Sequence, residues 1–315
     1  MKIVVTGAIG HIGSHLMREL AFQFPRAHIV GIDNMLTQRF PSLFNLPAIG
    51  SYEFIEGDVT KMDLRPILKG AYAVVHLAAI TDAAGSFDKA EQVEENNLYS
   101  TERIANACVE MGCRLIALSS VSVYGSQSSV VTEDCLESDL CPQSPYAVTK
   151  LKEEHLVAKL HLEQGLKSIS CRFGTIYGAS VGMRFHTAVN KFCWQAVMRQ
   201  PITVWRTAYN QKRPYLDLID ATNAIAYIIR NDIFDGRTYN VLTDNLTVRQ
   251  VVETIQEFIE DITISFVDNK IMNQLSYEVS CERFISTGFK FSGNLRRGVG
   301  ETLSLLRTSS RVNSY

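Results

Sequence analysis

Through the first half of the chain, short apolar runs rich in Val and Ile alternate with stretches of helical periodicity. The runs at Lys2–Thr6, His28–Ile32, Tyr52–Ile55, Ala73–Leu77, Arg114–Ser119 and Ser168–Arg172 are nearly continuously hydrophobic. A strand with one wet face alternates apolar and polar residues, and a strand covered on both faces does not. These six runs therefore predict buried parallel strands. Between them, apolar residues spaced three to four apart predict helices over His11–Phe22, Lys89–Met111 and Tyr146–Gln164. Strand and helix in alternation predict an α/β fold with a doubly wound parallel sheet. In the last of these helices, Lys152, Glu153, Glu154 and Lys159 read as a charged face. Leu151, His155, Leu156 and Leu162 lie opposite and are expected to pack on the sheet or on a partner subunit.

After Tyr177-Gly178 the pattern changes. A helix is predicted over Ala188–Met198 and a strand over Ile202–Trp205, followed by a polar stretch through Arg213. Tyr215–Leu218, a helix over Ala221–Ile229 and Thr238–Leu242 read as a return to the main sheet. Residues 247–315 read as small helices around one strand, Ile262–Val267. With no repeat and no low-complexity linker, the second lobe is expected to be threaded through the first. The expected division is residues 1–177 with roughly 215–245 in one domain, and 178–214 with 246–315 in a smaller interleaved α+β lobe.

Composition narrows the function classes. With 315 residues there is chain enough for a large core. A 46% hydrophobic and 20% charged content is that of a soluble globular protein. The net charge of −2 lacks the basic surplus of a nucleic-acid binder. The seven cysteines form no Cys-x-x-Cys or Cys/His ligand spacing, so no metal and no disulfide framework is expected. The start, Met1-Lys2-Ile3-Val4-Val5-Thr6-Gly7, runs straight into a strand without the apolar region and cleavage site of a signal peptide. No apolar run reaches the roughly 18 residues that span a bilayer. The expectation is a cytoplasmic protein with neither membrane nor nucleic-acid partners.

Gly7-Ala8-Ile9-Gly10-His11-Ile12-Gly13 follows the first predicted strand and opens the first helix. In that context the glycines predict a Rossmann-type dinucleotide turn. Gly7 permits the tight turn, Gly10 lets main chain approach a pyrophosphate, and Gly13 lets helix and strand pack closely. Free N–H groups at the helix N-terminus favour the anion. Asp33 lies twenty residues after Gly13, where a carboxylate takes the adenosine ribose hydroxyls of NAD and repels the 2′-phosphate of NADP. Arg39 lies close enough to complicate that choice, although its plainer reading is a solvated loop arginine. Asp58-Val59 follows the third strand, placed for the adenine edge, and His76-Leu77-Ala78-Ala79 puts small residues beneath the cofactor.

Tyr146 and Lys150 are one helical turn apart, so both point to one side. A phenol of unperturbed pKa about 10 is a poor base near neutrality. A neighbouring ammonium favours the phenolate and is expected to lower that value. With Ser120 upstream to hold an oxygen, the three form a proton-transfer device for an alcohol or carbonyl.

Taken together, these residues resemble the extended short-chain dehydrogenase/reductases, in particular the NAD-dependent nucleotide-sugar epimerase/dehydratase family. The matching positions are Thr6-Gly7-x-x-Gly10-x-Ile12-Gly13, Asp33-Asn34, Asp58, His76-Leu77-Ala78-Ala79 and Asn97. They continue in Leu118-Ser119-Ser120-Val121-Ser122-Val123-Tyr124-Gly125, Ser144-Pro145-Tyr146-x-x-x-Lys150 and Arg172-Phe173-x-x-x-Tyr177-Gly178. The resemblance implies an NAD site built from Gly7, Gly10, Ile12, Gly13, Asp33, Asn34, Asp58, Val59, Leu77, Ala78, Ala79, Asn97, Ser119 and Phe173, with Tyr146 and Lys150. It implies Tyr146 as acid/base, Lys150 as the cation that tunes it, and Ser120 as the sugar-hydroxyl contact. The implied reaction is 4-epimerisation by transient C4 oxidation and hydride return, as in polysaccharide biosynthesis. A homodimer through a four-helix bundle of the Lys89–Met111 and Tyr146–Gln164 helices is also implied.

Family members that eliminate water carry an Asp-Glu pair directly after the equivalent of Ser120. Val121 and Ser122 stand there, which disfavours a dehydratase. A reductase of a keto nucleotide sugar shares the other motifs and is the alternative. A non-catalytic cofactor-sensing protein would not need Ser120, Tyr146 and Lys150. The chain departs from the family in the substrate lobe, with Thr175 where Asn is usual and Arg206–Arg213 in place of a glycine-rich segment. Asn273-Gln274-Leu275-Ser276-Tyr277 stands where a later arginine is expected. Gly182-Met183-Arg184-Phe185-His186 and Asn190-Lys191 are expected to line the pocket. Ser122, Thr175, His186, Asn190, Lys191, Arg206 and Arg213 are the expected substrate contacts, the two arginines for the diphosphate.

Overall fold

Seven parallel strands build the central sheet of the computed structural model, which describes residues 1–81, 90–125, 130–268 and 277–307. They are β1 (Lys2–Thr6), β2 (His28–Asp33), β3 (Ser51–Glu56), β4 (Ala71–His76), β5 (Arg114–Ser120), β6 (Ser168–Phe173) and, far later, a strand at Thr238–Val241. The order across the sheet places the Thr238–Val241 strand first, then β6-β5-β4-β1-β2-β3. The winding direction reverses at β1, between β2 and β4, and such a switch point leaves a crevice at the carboxyl ends of the strands. The six strands expected in the first half lie where the apolar runs put them.

Two further sheets complete the strand set among the described residues. β7 (Thr175–Tyr177), β9 (Lys212–Asp217) and β11 (Asp244–Thr247) form a three-stranded sheet, and β8 (Ile202–Trp205) pairs with β12 (Ile264–Val267). Thr238–Val241 is thus β10. The Tyr215–Leu218 run does not rejoin the main sheet as expected: β9 runs antiparallel to β11 and parallel to β7. The strand that does rejoin the main sheet is β10, which pairs with β6.

Helices cover both faces of the main sheet, as its continuously apolar strands require. α1 (His11–Gln23) and α6 (Leu218–Asn231) close one face, with Leu16 and Leu20 meeting the core that holds Ile225 and Ile228. On the other face, α2 (Arg65–Leu68), α3 (Ala90–Met111) and α4 (Pro145–Gln164) bury Leu68, Ile104, Val157 and Leu160. A separate core gathers α5 (Ala188–Val197), α7 (Val248–Gln256) and α9 (Leu295–Leu306) around Phe192, Val251 and Leu303. The short α8 (Glu282–Ile285) inserts Phe284 against the β10 end of the main sheet. None of the described helices is long and apolar enough to cross a membrane.

α4 has clear start and stop signals. Ser144 accepts a hydrogen bond from Ala147 N at 3.2 Å, Pro145 occupies the first turn, and Gly165 ends the helix in the left-handed region at φ 69°. Its faces differ from the expectation. Glu153 and Glu154 are only 5% and 6% exposed, while Leu162 is 82% exposed. Both carboxylates turn inward because buried cations, Lys150 and Arg172, await them.

Candidate active site

The crevice at the switch point is lined by Gly7, Gly10, Ile12, Gly13, Asp33, Asn34, Asp58, Val59, Leu77, Ala78 and Ala79, all expected cofactor residues. Two glycines show why the loop needs them. Gly7 sits at φ 66°, and a Cβ there would lie 2.8 Å from Ala78 N. A Cβ on Gly13 would come within 2.9 Å of Ala8 Cα, so α1 could not approach β1 this closely. Gly10 caps α1 without any side-chain acceptor, leaving first-turn N–H groups open to an anion. This cradle fits the pyrophosphate of a dinucleotide.

Asp33 ends β2 and accepts hydrogen bonds from Ile9 N at 3.2 Å and Met35 N at 3.0 Å. Burial raises its carboxyl above the usual range, while those N–H groups and the Arg39 charge pull it back. Arg39 lines the same crevice. At the end of β1, Thr6 Oγ1 accepts from Leu77 N and Ala78 N, each at 3.1 Å, and contacts His76 Nδ1 at 2.8 Å. With both lone pairs taken, the hydroxyl donates to His76, which leaves the imidazole proton on Nε2. Burial lowers the His76 pKa to about 3, with Lys150 adding to the effect, so the ring is neutral.

Ser120 ends β5 and caps the 3-10 turn Val121–Tyr124, against which α4 packs. Its Oγ accepts from Ser122 Oγ at 2.9 Å and from Ser122 N at 3.2 Å. Tyr146 is half-buried in the first turn of α4, and Lys150 Nζ lies 5.8 Å from its ring centroid. The expected lowering of the phenol pKa is not the net result. Burial raises it, Lys150 and Arg184 favour the phenolate, and Glu153 opposes them. Lys150 is itself 5% exposed. Burial works against its charge, but Glu153, 2.9 Å from Nζ, and Tyr146 outweigh that and hold its pKa above normal.

Several expected site residues stand behind the crevice wall. Asn97 is buried and brackets Ile80, accepting from Ile80 N at 2.8 Å and donating to Ile80 O at 2.9 Å. Ser119 is buried and donates to Glu154, and Phe173 lies in the main core. Asn190 is fully buried: its amide accepts from Gly178 N at 3.2 Å and donates to Arg184 O at 3.2 Å. That leaves it bracing the loop after β7 rather than facing a ligand. Thr175 opens β7, His186 is exposed and Lys191 is half-buried on α5. Arg206 is exposed, 3.7 Å from Asp268 and 5.3 Å from the Phe266 ring centroid. Arg213 on β9 has Nη2 buried with no hydrogen-bond partner among the described residues. Residues 273–276 lie outside those described, as does Lys89, the expected start of α3.

Glu153 and His11 escaped the sequence reading, whereas Arg184 falls in the segment expected to line the pocket. Glu153 was placed on a solvated face. Arg184 lines the crevice and donates to Thr81 Oγ1. His11 joins the dinucleotide loop to the segment after β7 through Ser180 Oγ at 2.7 Å, its pKa lowered to about 3 by burial first and by Arg184 next. Only the spacing of Glu153, three residues past Lys150, could have flagged it. Among the described residues no cluster of His, Cys, Asp or Glu could hold a metal ion.

Comparison with known proteins agrees with this geometry. The chain is 30% identical over 267 residues to an uncharacterised UDP-glucose epimerase of Bacillus subtilis (strain 168), covering 82% of each chain. It is 27% identical over 318 residues to a trifunctional UDP-glucose 4,6-dehydratase/epimerase/reductase of Arabidopsis thaliana, covering 96% of this chain and 46% of that longer protein. Its fold superposes with a TM-score of 0.89 on the UDP-glucuronic acid 4-epimerase of Bacillus cereus, solved with UDP-glucuronic acid and NAD, at 25% identity and covering 98% and 100% of the two chains. Residues 3–241 match the model of one family, and the chain belongs to it: the NAD-dependent epimerase/dehydratase family.

Proposed function

We propose that this protein is an NAD-dependent 4-epimerase of a UDP-sugar. One observation carries the reading. Tyr146 and Lys150 sit together beside the Ser120 turn, yet the two positions after Ser120 hold no acid or base: Val121 is buried and the Ser122 hydroxyl bonds back to Ser120. The site therefore has a proton device for an alcohol and no pair for eliminating water. The UDP-sugar class is carried over from the Bacillus relatives, at 30% and 25% identity.

The glycine cradle would hold the pyrophosphate of NAD, and Asp33 its adenosine ribose. When bound, NAD supplies a reversible hydride acceptor. Tyr146 takes the proton of the sugar 4-hydroxyl and returns it after the keto sugar turns in the site, with Lys150 favouring the phenolate. Both Ser120 lone pairs accept from Ser122, so its own O–H is free to donate to the sugar oxygen. Such positioned acid–base catalysis contributes about 10²–10⁴-fold. Arg213 would take the diphosphate, with Thr175, His186, Lys191 and Arg206 toward the substrate side. In this reading residues 1–177 with about 215–245 bind the cofactor, and 178–214 with 246–315 the substrate.

The reading extends to a cytoplasmic homodimer in polysaccharide biosynthesis. Exposed Tyr99, Val148 and Leu162 on α3 and α4 support pairing of these helices into a four-helix bundle. The test is turnover of UDP-hexoses by purified protein with no nucleotide added. An epimerase interconverts C4 epimers under these conditions. Stoichiometric NADH consumption with a keto sugar, and no interconversion, would overturn the assignment in favour of a reductase.

A further inference from the structure

We propose that Glu153 is a positioning residue of this reaction: its buried carboxylate fixes the Lys150 ammonium and sets how readily Tyr146 gives up its proton. The inference rests on the acid–base roles given above to Tyr146 and Lys150. Its basis is the geometry of one carboxylate. The Lys150 and Glu153 side chains are each 6% exposed, and Nζ to Oε2 is 2.9 Å. The same Oε2 accepts from Thr101 Oγ1 of α3 at 3.0 Å. The other oxygen, Oε1, is buried with no hydrogen-bond partner among the described residues. Among the described residues the carboxylate is thus met only by the Lys150 ammonium and the Thr101 hydroxyl, which ties its position to that lysine.

The charges around the pair are few. Lys150, Glu153 and, from the segment after β7, Arg184 act on Tyr146. Tyr146, Glu153 and Glu154 act on Lys150, and His76 at the end of β4 feels its charge. Burial holds the Glu153 carboxyl above the usual range, the Lys150 charge and the hydrogen bonds from Lys150 and Thr101 pull it back, and the Glu154 charge adds to burial. The negative charge of Glu153 opposes phenolate formation, so its removal lowers the pH at which Tyr146 ionises. The same removal leaves burial of Lys150 less opposed, with only Tyr146 and Glu154 still favouring its charge, so the ammonium also loses its proton at lower pH. A change in one carboxylate thus moves both groups in the same direction.

The experiment compares wild type, Glu153→Gln, Glu153→Asp and Thr101→Val. For each, the pH profile of kcat/KM is measured with a UDP-sugar, together with an ultraviolet difference titration of phenolate, a Tyr146→Phe protein isolating the Tyr146 signal. Glu153→Gln should move both limbs of the profile and the Tyr146 titration toward acid by on the order of 1 unit. Glu153→Asp should restore part of that shift. Thr101→Val leaves Glu153 charged at the pH where Tyr146 titrates and should barely move the profile, and the partial shift of Glu153→Asp decides the matter if Glu153→Gln does not fold. Profiles and titrations of the Glu153 variants that stay in place, whatever happens to KM, would overturn the proposal. The titration needs no substrate, so a shifted Tyr146 in a protein that turns over no UDP-sugar would sink the epimerase reading and leave Glu153 standing.

Discussion

Glu153 and Glu154 are neighbours on α4, equally buried, each paired with a cation, and they do different work. Glu154 grips Arg172 through both oxygens at 2.7–3.2 Å and also accepts from Ser119. Arg172 in turn lies 4.8 Å from the centroid of Tyr124. Every group in that chain is satisfied, and it ties α4 to β5, β6 and the Ser120 turn. Glu153 meets Lys150 through one oxygen and leaves the other unmatched. The difference is one of chemistry as well as geometry. A guanidinium cannot shed its proton at any working pH, whereas a buried ammonium can. A saturated pair with Arg suits a strut; an open pair with Lys suits a group whose charge must respond.

The strongest test of that contrast is the same substitution at both positions. Glu154→Gln strands a buried guanidinium, and breaking a buried pair from one side costs about 3–5 kcal/mol. Glu153→Gln leaves an ammonium that Tyr146 and Glu154 still favour and whose pKa can fall, so its cost should stay at about 1–2 kcal/mol. Denaturant unfolding of the two variants measures both. Equal losses would erase the distinction between strut and responsive pair.

A second contrast lies between these paired charges and two buried histidines that hold none. His11 and His76 have folded pKa values of about 3 against an ordinary 6.5, both chiefly through burial. Below pH 6.5 the unfolded chain binds protons that the folded chain refuses, so stability falls as pH drops through the interval from 6.5 toward 3. At about pH 5 each ring should cost roughly 2 kcal/mol relative to about pH 7. Unfolding measured at the two pH values should show the loss, and His11→Gln should remove about half of it. A stability that does not change over this range would mean that the rings are not held neutral.

The same contrast explains what could be read from the sequence. Strands β1 to β6 were legible because a sheet covered on both faces needs unbroken apolar runs. The cofactor loop was legible because Gly7 and Gly13 answer steric demands that any side chain would violate. The buried face of α4 was not legible, since hydrophobic periodicity counts every Glu as a solvated position. Only the fold brings Arg172 from β6 and Thr101 from α3 to meet those carboxylates. Asn97 and Asn190 read as ligand contacts in the sequence but brace main chain in the fold, because partners such as Ile80 O and Arg184 O leave no mark in a sequence. β9 was misassigned because a buried run shows that it is covered without showing which sheet covers it.

The smallest effect separates two arginines that the sequence put in one role. Arg213 keeps Nη2 buried and unpartnered among the described residues, so a diphosphate oxygen would satisfy a donor that otherwise stays unmet. Arg206 is 63% exposed at the side chain, with Asp268 3.7 Å away and 86% exposed. Exposed pairs of this kind are worth at most about 1 kcal/mol, and water can replace either partner. Arg213→Ala should therefore raise KM for a UDP-sugar roughly 10-fold or more, the value of a charge-assisted hydrogen bond of about 1.5–3 kcal/mol. Arg206→Ala should change KM by less than about 3-fold and stability by no more than about 0.5 kcal/mol. Steady-state kinetics on both variants decides between them. If the Arg206 variant lost affinity as steeply as the Arg213 variant, an exposed arginine would be reaching the diphosphate after all, and burial would be a poor guide to binding in this lobe.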